Sequence, residues 1–400
     1  MKKIFEYSKK YHTYFFYLFA IASATSISAM TALLFIFLLF YFLNLKESFK
    51  NSPKDFLYFV GFYIWHAISD ILNGVFSEVF TSLNNIWDKI PYVSGSALKI
   101  DKEKVLNFLK ILLWVNVFII VYALLQKYAG FPVIVKRLFT EDMLRFKGYH
   151  SHPLRFAGYL STVCVIGISF GIFYSKKFLI PSLVVLCGII LNGSRSYWFS
   201  VVLTILILSL FRSFKTFIFY FIIVSVFWGS FYLVFPELKL RVNTAFNSPK
   251  TMEMSNMSLR INFWKAGIEI FEKNPIYGTG KGTITHYLKP YFEKGLIDNT
   301  AHCHNSYITS AAETGIIGVG FFVFIIFYFL RKYLKVAREF NEDFYKAFYY
   351  SLFGGWLNVA LSGFFESNFS TFVLWGFLSV WMGIGQVLLL NENIDIISKK

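Results

Sequence analysis

The feature that most limits what this chain can fold into is a succession of apolar runs long enough to cross a lipid bilayer. A helix needs about 20 residues to span the hydrocarbon core, and only helices or closed barrels satisfy their own backbone amides there. Such runs fall near 12–28, 29–45, 55–73, 75–95, 106–127, 155–174, 178–194, 196–212, 214–235, 309–330, 346–365 and 371–390. They are continuous and do not alternate, which argues against the short alternating segments of a barrel. Composition agrees, because only 16% of residues are charged, against about 25% in an average soluble domain. The reading is an all-α polytopic membrane protein with about twelve transmembrane helices, ten being the alternative count.

The formal net charge of +16 does not indicate a nucleic-acid partner. Basic residues gather in short loops between apolar runs, at Lys176–Lys177, Arg212–Lys215 and Arg331–Lys335, as the positive-inside rule predicts for cytoplasmic loops. That rule places both termini and the segments 46–54, 98–104, 175–177, 212–215 and 331–338 inside. The run 75–95 carries Glu78, Asp88 and Lys89 and is the weakest span. With 46–54 and 98–104 both inside, the chain between them makes two crossings or none, and two are expected. Lys2, Lys3, Lys9 and Lys10 precede the first run as in a signal peptide, but apolar sequence continues to about Leu45 without a small-residue cleavage pattern. An uncleaved first span is expected. Cys164, Cys187 and Cys303 are too few and scattered for a disulfide framework.

This topology divides the chain into N-terminal spans (1–128), further spans with an outer loop at 129–154 (129–235), a large outer loop (236–308) and C-terminal spans (309–400). Outer loops are usually poor in Lys and Arg, yet 236–308 contains Arg241, Arg260, Lys265, Lys273, Lys281, Lys289 and Lys294. An anionic partner at the outer membrane surface is implied. Within this loop, apolar periodicity predicts an amphipathic helix over 256–274, with Ser258 as its cap and Asn274-Pro275 as its stop. A turn-rich stretch, Pro275–Gly282, and a second helix over 284–293 follow.

Three places carry candidate chemistry. Arg195, in NGSRSYW, falls between two apolar runs on the outer side, where a guanidinium is either functional or snorkelling to headgroups. Arg260 opens the loop helix, and its planar fork suits phosphate oxygens. In TAHCHNSYITSAAETG, His302 and His304 alternate as in an extended segment, which would turn both rings to one side. Three readings stand for this pair: a general base, ordinary hydrogen bonding, or zinc shared with His150, His152 and Cys303. GTGKGT (278–283) matches neither nucleotide-loop spacing. The loop carboxylates form no paired motif for a metal-bound sugar nucleotide.

Five short motifs follow one another in order. Gly-Ser-Arg-x-x-Trp (Gly193–Trp198) precedes Arg-x-x-x-Trp (Arg260, Trp264) and Asn-Pro-x-x-Gly-x-Gly (Asn274–Gly280). His-Asn-x-Tyr (His304–Tyr307) and Glu-x-Gly-x-x-Gly (Glu313–Gly318) complete the series. The series resembles the O-antigen ligase and O-antigen polymerase superfamily over about 178–330. The resemblance implies a metal-independent, inverting glycosyltransferase without a cofactor, in the bacterial inner membrane with its active site on the periplasmic face. The donor would be a glycan on undecaprenyl pyrophosphate and the acceptor a sugar hydroxyl of lipid A-core. Arg195 and Arg260 would hold the pyrophosphate and His304 would be the base. Substrate contacts would come from Arg145, Arg155, Arg241, Trp264, Lys281, His302, Asn305 and Tyr307. A polymerase using the same donor is the nearest alternative, followed by a protein O-oligosaccharyltransferase. A lipid-linked glycan transporter would call for paired charges within the spans and Gly/Pro-broken helices in symmetric halves, and the sequence shows neither.

Overall fold

The computed structural model describes residues 2–141, 145–236, 239, 242–243, 256–299 and 302–392. Among these, the chain is helical throughout, with one isolated β-bridge between Phe139 and Phe146. The N-terminal helices are α1 (Lys2–Thr25), α2 (Ile27–Leu43), α3 (Leu45–Asn51), α4 (Phe56–Leu72), α5 (Phe76–Asn84), α6 (Pro91–Gly95) and α7 (Lys102–Tyr128). Next come α8 (Pro153–Phe173), α9 (Leu179–Asn192), α10 (Arg195–Arg212) and α11 (Phe214–Val234). The large loop contributes α12 (Asn256–Lys273) and α13 (Ile284–Glu293), and the chain closes with α14 (Ser306–Glu339), α15 (Asp343–Gly363) and α16 (Phe372–Asn391).

Residue chemistry at the ends explains many of these boundaries. Ser26, Asp101 and Ser213 cap α2, α7 and α11 through side-chain oxygens that accept the first free amides. Gly193, at φ 74°, ends α9 in a left-handed turn. The centre of the bundle is α8, apolar on all sides and buried on all sides. It packs against α9, α10, α15 and α16. Trp356 of α15 stacks on Phe329 of α14 at 4.7 Å and meets Trp375 of α16 edge-on at 5.2 Å. By contrast, α11 turns most of its surface outward.

Among the described residues, six helices are long and apolar enough to cross a membrane, namely α7, α8, α10, α11, α14 and α16, or seven if α2 and α3, bent by 103°, form one span. This measure does not reach the expected twelve. The shortfall has physical causes: α9 has only 14 residues, and α15 keeps Asn358 buried in its second half, bonded to Ser161 and Ser200. The run 75–95 is not one helix. It consists of α5, a 3-10 turn at Asn85–Asp88, and α6. Its charges account for the break. The Lys89 Nζ lies 2.7 Å from Asp88 and donates to the Phe369 carbonyl at 2.8 Å, in a site closed to solvent. The segment still retraces the length of α4, because Ser82 bonds Asp70 near one end of α4 and Tyr92 bonds Asp55 beside the other.

The two ends of the bundle differ. At one, Lys99 pairs with Glu47, Lys102 with Glu342, and Arg212 lies 4.0 Å from Asp343. These are the basic segments expected inside. The loop helices α12 and α13 lie at the opposite end, around a small core of their own that includes Phe263, Ile270, Leu288, Ile297 and Cys303. Both helices stand where the periodicity placed them. Ser258, however, lies inside the first turn of α12 and is not its cap, and Arg260 is on the second turn.

The turn at 275–280 clasps α14 through backbone atoms. Ile316 N donates to Pro275 O at 2.8 Å, Thr279 N to Ala312 O at 3.0 Å and Gly280 N to Glu313 O at 2.9 Å. Gly315 breaks α14 at φ 66° and ψ −167°. A Cβ there would stand 2.2 Å from Ile276 O. One at Gly278 would stand 2.4 Å from the Glu313 carbonyl carbon. From α4, Ser69 Oγ donates to the Tyr277 and Glu313 carbonyls and Trp65 Nε1 to that of Thr314. The third and fifth sequence elements of the series are thereby brought close together.

Candidate active site

Glu366, a residue outside all five motifs, gathers the candidate groups. It lies in the short connector between α15 and α16 and is 5% exposed. Arg260 Nη2 donates to its Oε1 at 2.9 Å, and Ser196 Oγ donates to the same oxygen at 2.9 Å. Its other oxygen, Oε2, lies 4.0 Å from His304 Nδ1. Burial pushes the Glu366 carboxyl upward, while Arg260 and Ser196 oppose that shift.

His304 is held in an unusual backbone conformation. It is the one non-glycine with positive φ among the described residues, at 50°. Strained residues of this kind concentrate at functional sites. The segment is therefore not extended at His304, yet the two imidazoles still meet, edge to face, at 4.5 Å. His304 N donates to His302 Nδ1 at 3.2 Å, and Phe263 closes over the His304 ring at 5.2 Å. His304 Nδ1 is buried with no hydrogen-bond partner among the described residues. Burial, then His302 and Arg260, hold the His304 imidazole down to about 4, so it is neutral and able to accept a proton near neutral pH. Burial also holds His302 low.

The N-terminus of α10 brings two further arginines to the same place. Arg195 is the first residue of α10, half-buried, between Ser194 and Ser196. Ser194 Oγ accepts from Arg145 Nη2 at 2.8 Å, and Arg145 Nε donates to Asn192 O at 3.1 Å. Ser196 is the donor to Glu366. Arg145, Arg195 and Arg260 thus converge around one helix N-terminus, a setting that favours anions through free amides and the helix dipole.

Residues 180–323 match the family model described as O-Antigen ligase.

The match supports the resemblance to the O-antigen ligase superfamily, and with it an enzyme of the glycosyltransferase-like ligases and polymerases. The matched O-antigen ligase region runs from α9 into α14. It contains Arg195, Arg260, His302 and His304, while Arg145 and Glu366 lie outside it. No curated protein matches the chain.

Other residues expected at this site separate into distinct roles. Asn305 caps α14, accepting from the Tyr307 and Ile308 amides at 2.9 and 3.1 Å, and donates to Phe364 O at 3.0 Å. Tyr307 stacks on Phe364 at 4.5 Å and donates to Ala360 O. Both therefore fasten the His304 segment to the connector that carries Glu366. Trp264 lies 6.2 Å from Phe365, with its buried Nε1 lacking a partner among the described residues. Arg155 is exposed at the start of α8, and His152 caps that helix. Lys281 belongs to a different cluster: its amide donates to Asp70 Oδ1 at 2.6 Å, and burial lowers its ammonium against the pull of Glu313, Asp70 and Glu78. Arg241 lies outside the described residues.

Zinc finds no ligand set here, since no three His, Cys, Asp or Glu side chains group suitably among the described residues. His150 is packed against Phe156 and Tyr159. Cys303 fills the space over Gly267, where an added Cβ would stand 2.6 Å from its Sγ. Sequence reasoning missed Glu366, and the available signal was an acid in a short connector on the same face as the basic loop.

Proposed function

We propose that this protein transfers a glycan from undecaprenyl pyrophosphate to a sugar hydroxyl of lipid A-core, at the periplasmic face of the bacterial inner membrane with both termini cytoplasmic. The observation that carries the reading is the meeting of an arginine and a neutral histidine at one buried carboxylate, with Arg260 at 2.9 Å and His304 at 4.0 Å from Glu366. Such a site accommodates an anion beside a proton acceptor.

The chemistry follows from these groups. The acceptor hydroxyl loses its proton to His304 Nε2 as its oxygen bonds the anomeric carbon of the donor. The bond from that carbon to the pyrophosphate oxygen breaks, and its electron pair leaves with the pyrophosphate. Arg260, Arg195 and Arg145 stabilise the developing charge without a metal ion, which is the largest contribution that preorganised cations make. The imidazolium then returns its proton to water. Attack opposite the leaving group inverts the anomeric centre. Trp264 offers an aromatic face beside the reacting sugars.

Deletion of the gene followed by a lipopolysaccharide ladder gel tests this reading. Loss of all long bands with accumulation of lipid-linked polymer is expected, whereas a single-repeat band would mean a polymerase. His304→Ala and Arg260→Ala are expected to reproduce the deletion at unchanged protein level, since removing a general base costs roughly 10²–10⁴-fold in rate. Full-length lipopolysaccharide from either variant would remove that residue from the mechanism.

A further inference from the structure

We propose that Glu366 is a positioning residue that changes partner, held by Arg260 in the empty site and taken over by His304 when the donor pyrophosphate occupies Arg260. The inference rests on the donor-site reading above and adds a coupling between donor binding and the base.

The geometry sets up an unequal contest for one carboxylate. Oε1 is committed twice, to Arg260 and to Ser196, each at 2.9 Å. Oε2 points to His304 Nδ1 but stops at 4.0 Å, about 1 Å beyond a hydrogen bond. The connector backbone is already fixed, with Ser306 Oγ donating to Glu366 O at 2.9 Å and Asn305 to Phe364 O at 3.0 Å. Closing the gap therefore takes rotation of the Glu366 side chain, or of the His304 ring, and no movement of the chain.

Donor binding would drive that rotation. A guanidinium matches phosphate oxygens as a planar fork, so the pyrophosphate draws Arg260 away from the carboxylate. A buried carboxylate that loses its cation is costly until it is paired again. The charged and titratable groups around His304 are His302 on its own segment, Arg260 on α12 and Glu366 on the connector, with Arg145 acting on Glu366 from the 145–152 segment. With the arginines facing pyrophosphate, the cation left for Glu366 to favour is a protonated His304. Glu366 then accepts from Nδ1–H and leaves Nε2 to take the acceptor proton. The empty enzyme keeps a weak base, and the loaded enzyme has a stronger one.

The test uses the full chain in lipid nanodiscs with carbon-13 histidine, the His304 signal being identified by its loss in His304→Ala. Inorganic pyrophosphate is the probe. Its binding is expected to raise the proton affinity of His304 by at least about tenfold, one pKa step. In Glu366→Gln, pyrophosphate is expected to bind as well or better while the rise disappears, and transfer kcat falls about 100-fold with donor KM unchanged or lower. Glu366→Asp, which keeps the charge, is expected to retain a partial rise and serves if the glutamine variant does not fold. A His304 titration that ignores bound pyrophosphate, or that responds equally in Glu366→Gln, overturns the partner change and leaves the donor site standing. Absence of pyrophosphate binding to the unsubstituted chain overturns the donor site and this inference together.

Discussion

Gly315→Ala isolates the clasp between the 275–280 turn and α14. The substitution meets two separate penalties. At φ 66° and ψ −167° an alanine is in a region open essentially to glycine alone, at about 1–3 kcal/mol. Its Cβ would also stand 2.2 Å from Ile276 O, 2.3 Å from Ile276 C and 2.5 Å from Tyr277 N. These are backbone atoms of a turn, with no rotamer to escape through, so the turn must move away from α14. Moving it gives up the bonds from Ile316, Thr279 and Gly280, each about 1 kcal/mol. The expected loss is about 4–6 kcal/mol. Gly295→Ala is the control, because Gly295 has φ 68° but nothing within 4 Å of an added Cβ, so that only the strain applies. Thermal unfolding of the purified chain, followed by tryptophan fluorescence, reads both. Trp65 reports locally because its Nε1 donates to Thr314 O at 2.9 Å. If Gly315→Ala lowers stability no more than Gly295→Ala, the clasp is not a joint and the reasoning fails.

Two further outcomes follow from the site. Asn305→Ala removes the cap of α14 and the bond to Phe364, and is expected to cost about 1–2 kcal/mol with a fall in transfer rate. Asn305→Asp keeps the cap and loses only the bond to Phe364, so it is expected to fall between, and equal effects would refute the capping role. His150 and His304, each held down to about 4 in the folded chain, mainly by burial, both contribute to the pH dependence of stability. Both are neutral in either state above about 6.5 and contribute no dependence there. Between 6.5 and 4 the unfolded chain takes up protons that the folded chain refuses, so stability falls as the pH drops, by at most about 3 kcal/mol for each group. His150→Phe is expected to unfold at a higher temperature than the unsubstituted chain at pH 5 and not at pH 7. Equal differences at the two pH values would remove His150 from the account.

Much of this architecture was legible because bilayer-length apolar runs and helical periodicity are local signals. The two loop helices needed only their own residues to be seen. Arg195, Arg260 and His304 were singled out by the ordered motifs. Glu366 was not, because its role depends on three elements that meet only in the fold, and FFESNFST has no spacing of its own. The 75–95 run departs from a single helix for the opposite reason. Its length and hydropathy suggested a helix, but the Asp88–Lys89 pair is satisfied by the Phe369 carbonyl far along the chain. The glycines of 278–280 match no nucleotide-loop spacing, and what they do, contact the backbone of α14, has no trace in their immediate neighbours.

The enclosed ammonium of Lys89 bears on how the chain is made. A charged side chain near the middle of a lone span costs about 2.5–3.5 kcal/mol on insertion scales, and 75–95 carries two well inside it, Asp88 and Lys89. Its stabilising acceptor, the Phe369 carbonyl, lies 280 residues later, and Trp375, over which the ammonium sits at 4.4 Å, is later still. When the segment leaves the ribosome its ammonium has Asp88 at hand, but neither of these later partners. Truncation of α16 would remove more than one terminal helix, because an early crossing would lose the partner that lets it stay in the membrane.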